Sequence, residues 1–103
     1  MLSKPEGLSA LGSAAYDEAM KLVREHGLDP CGCKTFYSPQ EWRARGERYG
    51  LLHSHLIIVY DGGDIGSIAQ LSGRHNQAFI DALSRHGLYV EEGTGWYACI
   101  HNI

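Results

Sequence analysis

No apolar run in this chain approaches the roughly 20 residues that cross a bilayer. The opening Met1-Leu2-Ser3-Lys4-Pro5-Glu6 lacks the apolar stretch of a signal peptide, so a cytoplasmic protein without a membrane contact is expected. Cysteine is scarce. Three thiols leave one over in any disulfide scheme, which points to free thiols in a reducing compartment. An excess of basic charge is also missing: nine Lys and Arg stand against twelve Asp and Glu, for a net charge of −3. A dedicated nucleic-acid binder gains its affinity by neutralising phosphates, so direct nucleic-acid binding is not expected. Charged residues make up only 20% and apolar ones 44%, the balance of a folded domain rather than a disordered chain. At 103 residues the chain forms one domain with a thin core.

The richest stretch of what is present runs from Leu51 to Tyr60, Leu-Leu-His-Ser-His-Leu-Ile-Ile-Val-Tyr. β-Branched and aromatic residues between Gly50 and Asp61-Gly62-Gly63 predict a strand over 52–60. Alternation puts Leu52, Ser54, Leu56, Ile58 and Tyr60 on one face, and His53, His55, Ile57 and Val59 on the other. Residues 1–12 are rich in Ser, Gly and Pro and read as a loosely held arm before a single domain over 13–103. Ser13 is placed to cap a helix over 14–26 that carries Tyr16, Met20 and Val23 on one stripe and stops at Gly27. An edge strand is expected near Lys34–Tyr37. Ser38-Pro39-Gln40-Glu41 opens a short helix that ends near Gly50. A second long helix spans 74–86, and a hairpin follows around Glu92-Gly93-Thr94, with its second strand over 96–101. The fold class is α+β: a small antiparallel sheet, made of the central strand plus the C-terminal hairpin, with two main helices and one short one. Val23-Arg-Glu-His-Gly-Leu28 and Leu83-Ser-Arg-His-Gly-Leu88 are near copies, read as a shared helix stop.

Three groups of residues offer contact or chemistry. Trp42 and Tyr49 are seven apart on the short helix with Arg45 between them, residue types that dominate interfaces, and Arg43 and Arg48 add a charged rim. Asp61, Asp64, Glu91 and Glu92 form an acidic counterpart. The third group is metal-like. His53 and His55 project from one side of a strand, Cys31-Gly32-Cys33 offers two thiolates, and Cys99 and His101 share a face of the last strand. Zinc is the ion such sets would take, although one residue between cysteines is tighter than structural zinc sites use. Asp61 or Asp64, working with a histidine, would supply the acid–base chemistry of a small hydrolase, although Asp-Gly turns are also what a strand exit needs.

Val59-Tyr60-Asp61-Gly62-Gly63-Asp64, a helix ending in His86-Gly87-Leu88-Tyr89, and Trp96-Tyr97-Ala98-Cys99-Ile100 together carry a resemblance. Over residues 57–103 the chain resembles the ending of small accessory proteins encoded by bacteriophages and mobile elements, anti-CRISPR proteins among them. The resemblance implies a protein of the bacterial host cytoplasm that binds and redirects a bacterial protein complex concerned with defence or nucleic-acid handling. It carries over no site residue. The leading expectation is therefore a non-enzymatic inhibitor or adaptor that needs no cofactor. A zinc protein is the first alternative and a small hydrolase the second.

Overall fold

The computed structural model describes residues 3–30, 34–46, 54–60, 63–93 and 96–103. Its elements are α1 (Ala10–His26), β1 (Phe36–Tyr37), α2 (Pro39–Ala44), β2 (Leu56–Val59), α3 (Gly66–Ala69), α4 (Asn76–Ser84), β3 (Leu88–Glu92) and β4 (Tyr97–Asn102). The four strands form one antiparallel sheet in the order β1-β2-β4-β3, so the fold is α+β as expected. No helix among the described residues is long and apolar enough to cross a membrane.

The long helix starts earlier than the cap rule at Ser13 implied. Ser9 is the cap: its Oγ accepts from the Gly12 amide at 3.0 Å, and Ser13 lies one turn inside. The boundary drawn at residue 12 thus falls within α1. Pro5 is buried, and Leu8 and Leu11 pack on the main core, which extends the apolar stripe back past Ser13. At the other end, Gly27 adopts the left-handed conformation at φ 60°, and the Leu28 amide returns to the Val23 carbonyl at 3.0 Å. The second stop differs: α4 ends at Ser84 with a right-handed Arg85, and Gly87, at φ 71°, turns the chain three residues later, its amide returning to the Ser84 carbonyl at 3.0 Å.

The short helix opens as its sequence indicates. Ser38 Oγ accepts from the Glu41 amide at 3.1 Å, Glu41 Oε1 accepts from the Ser38 amide at 3.0 Å, and Pro39 occupies the first turn. Ser38→Ala removes one half of this box and costs about 1 kcal/mol. Urea denaturation measures it, and a loss of only a few tenths would show that α2 does not depend on its cap. The helix stops at Ala44, well before Gly50, because Gly46 takes φ 97°.

Alternation in β2 separates two apolar clusters. Leu56, Ile58 and Tyr60 join Phe36, Ala98 and Ile100 beneath α1, α3 and α4, where Phe79, Ile68 and Leu83 are fully buried. Ile57 and Val59 face the other way, against Trp42, Tyr97 and Cys99. The short α2 therefore covers the second face, and β2 is buried on both sides.

The alternation breaks at His55. The register sets Leu56 opposite Ile100, yet the His55 amide donates to the same Ile100 carbonyl at 2.8 Å. Two residues oppose one, which is a β-bulge, and the strand begins only at Leu56 rather than at 52. The expected face assignments of Ser54 and His55 are reversed as a result. Ser54 lies by the Cys99 thiol on the Ile57 side. The His55 ring lies on the helix side, where it reaches Ser9 and Asn102.

Candidate functional site

The arginine–aromatic stripe does not form the surface its spacing suggested. Trp42 is 0% exposed and sits in the second core cluster, so it is packing rather than a contact residue. Because α2 ends at Ala44, a seven-residue spacing to Tyr49 has no helix to follow, and Arg48 and Tyr49 lie outside the described residues. Arg45 covers the aromatic cluster instead. Its guanidinium carbon stands 5.1 Å from the Trp42 ring, 5.4 Å from Trp96 and 5.5 Å from Tyr37, and Nη1 donates to the Tyr37 hydroxyl at 3.3 Å. An exposed cation over aromatic faces contributes about 0.5–1 kcal/mol of stability. Arg43 is exposed and makes no ion pair with a described residue.

The metal set is not assembled among the described residues, where no group of three His, Cys, Asp or Glu can hold an ion. His53, Cys31 and Cys33 lie outside the described residues. Strand β4 does lie beside β2, as the set required, but the bulge turns His55 away from Cys99 and His101. His101 stays on the opposite face, its Nε2 3.0 Å from Glu91 Oε1 and its ring 5.5 Å from Tyr89. Cys99 is buried, and burial pushes its thiol up, which makes it a poor nucleophile and a poor ligand at neutral pH.

The acidic residues divide. Asp61 lies outside the described residues. Asp64 is committed to backbone: its Oδ2 accepts from the Asp29 amide at 3.1 Å, and its own amide donates to the Asp29 carbonyl at 2.7 Å. It closes a loop and is not placed as a free acid or base. Glu91 and Glu92 are exposed on β3, the edge strand of the sheet.

That edge is open. The Gly93 amide donates to the Tyr97 carbonyl at 3.0 Å, and the Ile103 amide to the Gly87 carbonyl at 2.9 Å. Pairing alternates along an antiparallel ladder, so Tyr89 and Glu91 turn their amides toward β4, while Leu88, Val90 and Glu92 turn theirs outward. Among the described residues no further strand takes them up. Beside this edge a cavity of about 280 Å³ is lined by Ala69, Leu71, Asn76, Ile80, Val90 and Glu92. Glu92 Oε1 accepts from the Leu71 amide at 2.8 Å and so holds the Leu71 side chain out, 79% exposed.

A second cavity, of about 330 Å³, was not foreseen from the sequence. Gly7, Ser9, Pro39, Gln40, Arg43, Ser54 and His55 line it. On its wall His55 Nδ1 stands 2.9 Å from Ser9 Oγ, and His55 Nε2 stands 2.6 Å from Asn102 Oδ1. An amide oxygen only accepts, so Nε2 carries the ring proton and Nδ1 accepts from the Ser9 hydroxyl. Ser9 was assigned to a loose arm, and Asn102 to nothing. The one signal for Ser9 was the apolar spacing Leu8, Leu11, Ala15, which runs a helix back past Ser13. Comparison of the chain with protein families, curated proteins and solved structures finds no match.

Proposed function

We propose that this chain is a protein-binding adaptor or inhibitor, and that it works through the acidic edge of β3. The observation that carries this reading is the row of outward-turned backbone groups at Leu88, Val90 and Glu92, flanked by two exposed carboxylates and an apolar cavity. An extended segment of a partner adds to such an edge as a further strand, with main-chain bonds for affinity and alternate side chains for selectivity. On the helix side those side chains meet Leu71, Ile80 and Val90. On the other side they meet Glu91 and Tyr89, which is 41% exposed. A segment alternating apolar with basic residues fits both.

Charge also argues against a second copy in this place. Two β3 strands crossing at Val90 would set Glu91 beside Tyr89 and Glu92 beside Leu88, with four carboxylates along one short ladder. Like charges at that spacing oppose pairing, as they do on many protected edges. A basic partner meets no such penalty. Basic surfaces belong to nucleic-acid-handling machinery, the class of target that the likeness to phage accessory proteins implies.

Two synthetic peptides test the reading on isotopically labelled protein. A peptide alternating Lys with Val should shift the amide resonances of Leu88, Val90 and Glu92, and a peptide alternating Glu with Val should not. The double substitution Glu91→Lys, Glu92→Lys should reverse that preference. Equal responses to the two peptides, or none on β3, would overturn it.

A further inference from the structure

The second cavity shares no lining residue with the one beside the β3 edge and does not depend on that edge. We infer that Ser9, His55 and Asn102 form an acyl-transfer site that hydrolyses carboxylic esters carrying an anionic group. The three side chains form a continuous relay: hydroxyl to Nδ1 at 2.9 Å, and Nε2 to amide oxygen at 2.6 Å. That is the geometry in which a nucleophile, its base and the group that orients the base work together. The relay opens on a cavity of about 330 Å³, large enough for a small ester. Ser9 is exposed and His55 half-buried, so the hydroxyl can be reached while the ring is held from behind.

The chemistry balances without a metal or a redox partner. The Ser9 hydroxyl gives its proton to His55 Nδ1 as Oγ bonds to the ester carbonyl carbon. The Nε2 proton stays on His55 and strengthens its bond to Asn102 Oδ1 as the ring becomes cationic. The carbon–oxygen bond to the alcohol then breaks, and the alcohol leaves with the proton from Nδ1. Water attacks the acyl group on Ser9, His55 takes a proton from the water and returns it to Oγ, and the carboxylic acid departs. Gln40 and Arg43 are the side-chain donors on the cavity wall available to the oxyanion. Arg43 has no ion pair with a described residue, so its guanidinium is also the group that would hold an anionic substituent on the substrate. Asn102 is a positioning residue. It selects the tautomer that makes Nδ1 a base.

Ser9 also caps α1, so Ser9→Ala risks the fold. Ser9→Asn keeps a good cap and removes the nucleophile. A reporter-bearing fluorophosphonate should label the protein at Ser9, located by peptide mass spectrometry, and should not label Ser9→Asn. His55→Gln should slow labelling by about a hundredfold or more, the scale of a lost general base. Asn102→Ala should slow it too, and Asn102→Asp should restore it, a rescue that a merely structural contact would not show in the rate of Ser9 labelling. The p-nitrophenyl monoester of succinic acid should turn over faster than p-nitrophenyl acetate, and Arg43→Gln should remove that difference. Labelling spread over surface serines, labelling unaffected by His55→Gln in a folded protein, or ester turnover equal in Ser9→Asn would overturn the assignment. Equal turnover of the two esters would overturn the anionic substrate class.

Discussion

Trp42→Ala lowers the unfolding free energy by about 3–5 kcal/mol, the cost of emptying a fully buried aromatic site. A domain of this size has a total stability of only about 5–15 kcal/mol, so the variant gives up a large share of it. The size of the effect follows from position. Trp42 has no exposed area and is the only residue of α2 in the second core cluster. Its ring centroid lies 5.3 Å from Tyr37, 5.4 Å from Tyr97 and 5.8 Å from Trp96, and Arg45 lies across the outside. Removing it takes a packing partner from three aromatic rings and uncovers Ile57 and Val59 on β2. Trp42→Phe should cost much less. It keeps most of the volume and deletes an indole N–H that finds no hydrogen-bond partner among the described residues. Urea denaturation of both variants measures the difference. A change within about half a kcal/mol for the alanine variant would return Trp42 to the surface role its spacing suggested.

Gly12→Ala is expected to destabilise, against the ordinary rule. In an exposed helix interior that exchange gains about 1 kcal/mol. Here a Cβ on Gly12 would run into the His55 carbonyl oxygen, with the carbonyl carbon 3.2 Å away and Leu8 at 3.3 Å. The carbonyl cannot easily withdraw. It belongs to the bulge, which is held by the His55 amide on Ile100 and by the ring on Ser9 and Asn102. The methyl therefore pushes α1 away from the sheet, at a net cost of about 1–3 kcal/mol. Chemical denaturation gives the sign directly, and a stabilised variant would mean that α1 does not approach the bulge. The same substitution should disturb the His55 ring resonances, because Gly12 and Ser9 share the first turn of α1.

Features set by neighbours in sequence were legible in it. The stop at Gly27 was, because a left-handed glycine after the last turn is a local requirement, and so was the left-handed turn at Gly87, though α4 ends at Ser84 before it. The capping box at Ser38 and Glu41 was, because its two bonds span three residues. So were the alternation of β2 from Leu56 onward and the antiparallel pairing of β3 with β4. The edge position of Glu91 and Glu92 follows from strand order, which the residues themselves do not state.

What the tertiary structure decided lies where distant segments meet. Helical spacing showed that Trp42 was apolar and aromatic, but which sheet face it covers depends on β2 and β4. The cap rule pointed to Ser13 for α1, and the start at Ser9 instead follows the core packing of Leu8 and Leu11 and the bond to His55. The bulge reversed the faces of Ser54 and His55, and nothing in Leu-His-Ser-His-Leu marks an extra residue. Ser9 and Asn102 reach His55 across 46 and 47 residues of sequence, so their relay exists only once α1, β2 and β4 are packed together. Local backbone chemistry is written residue by residue. A site drawn from three elements has no local signature, because its geometry is a property of the packing.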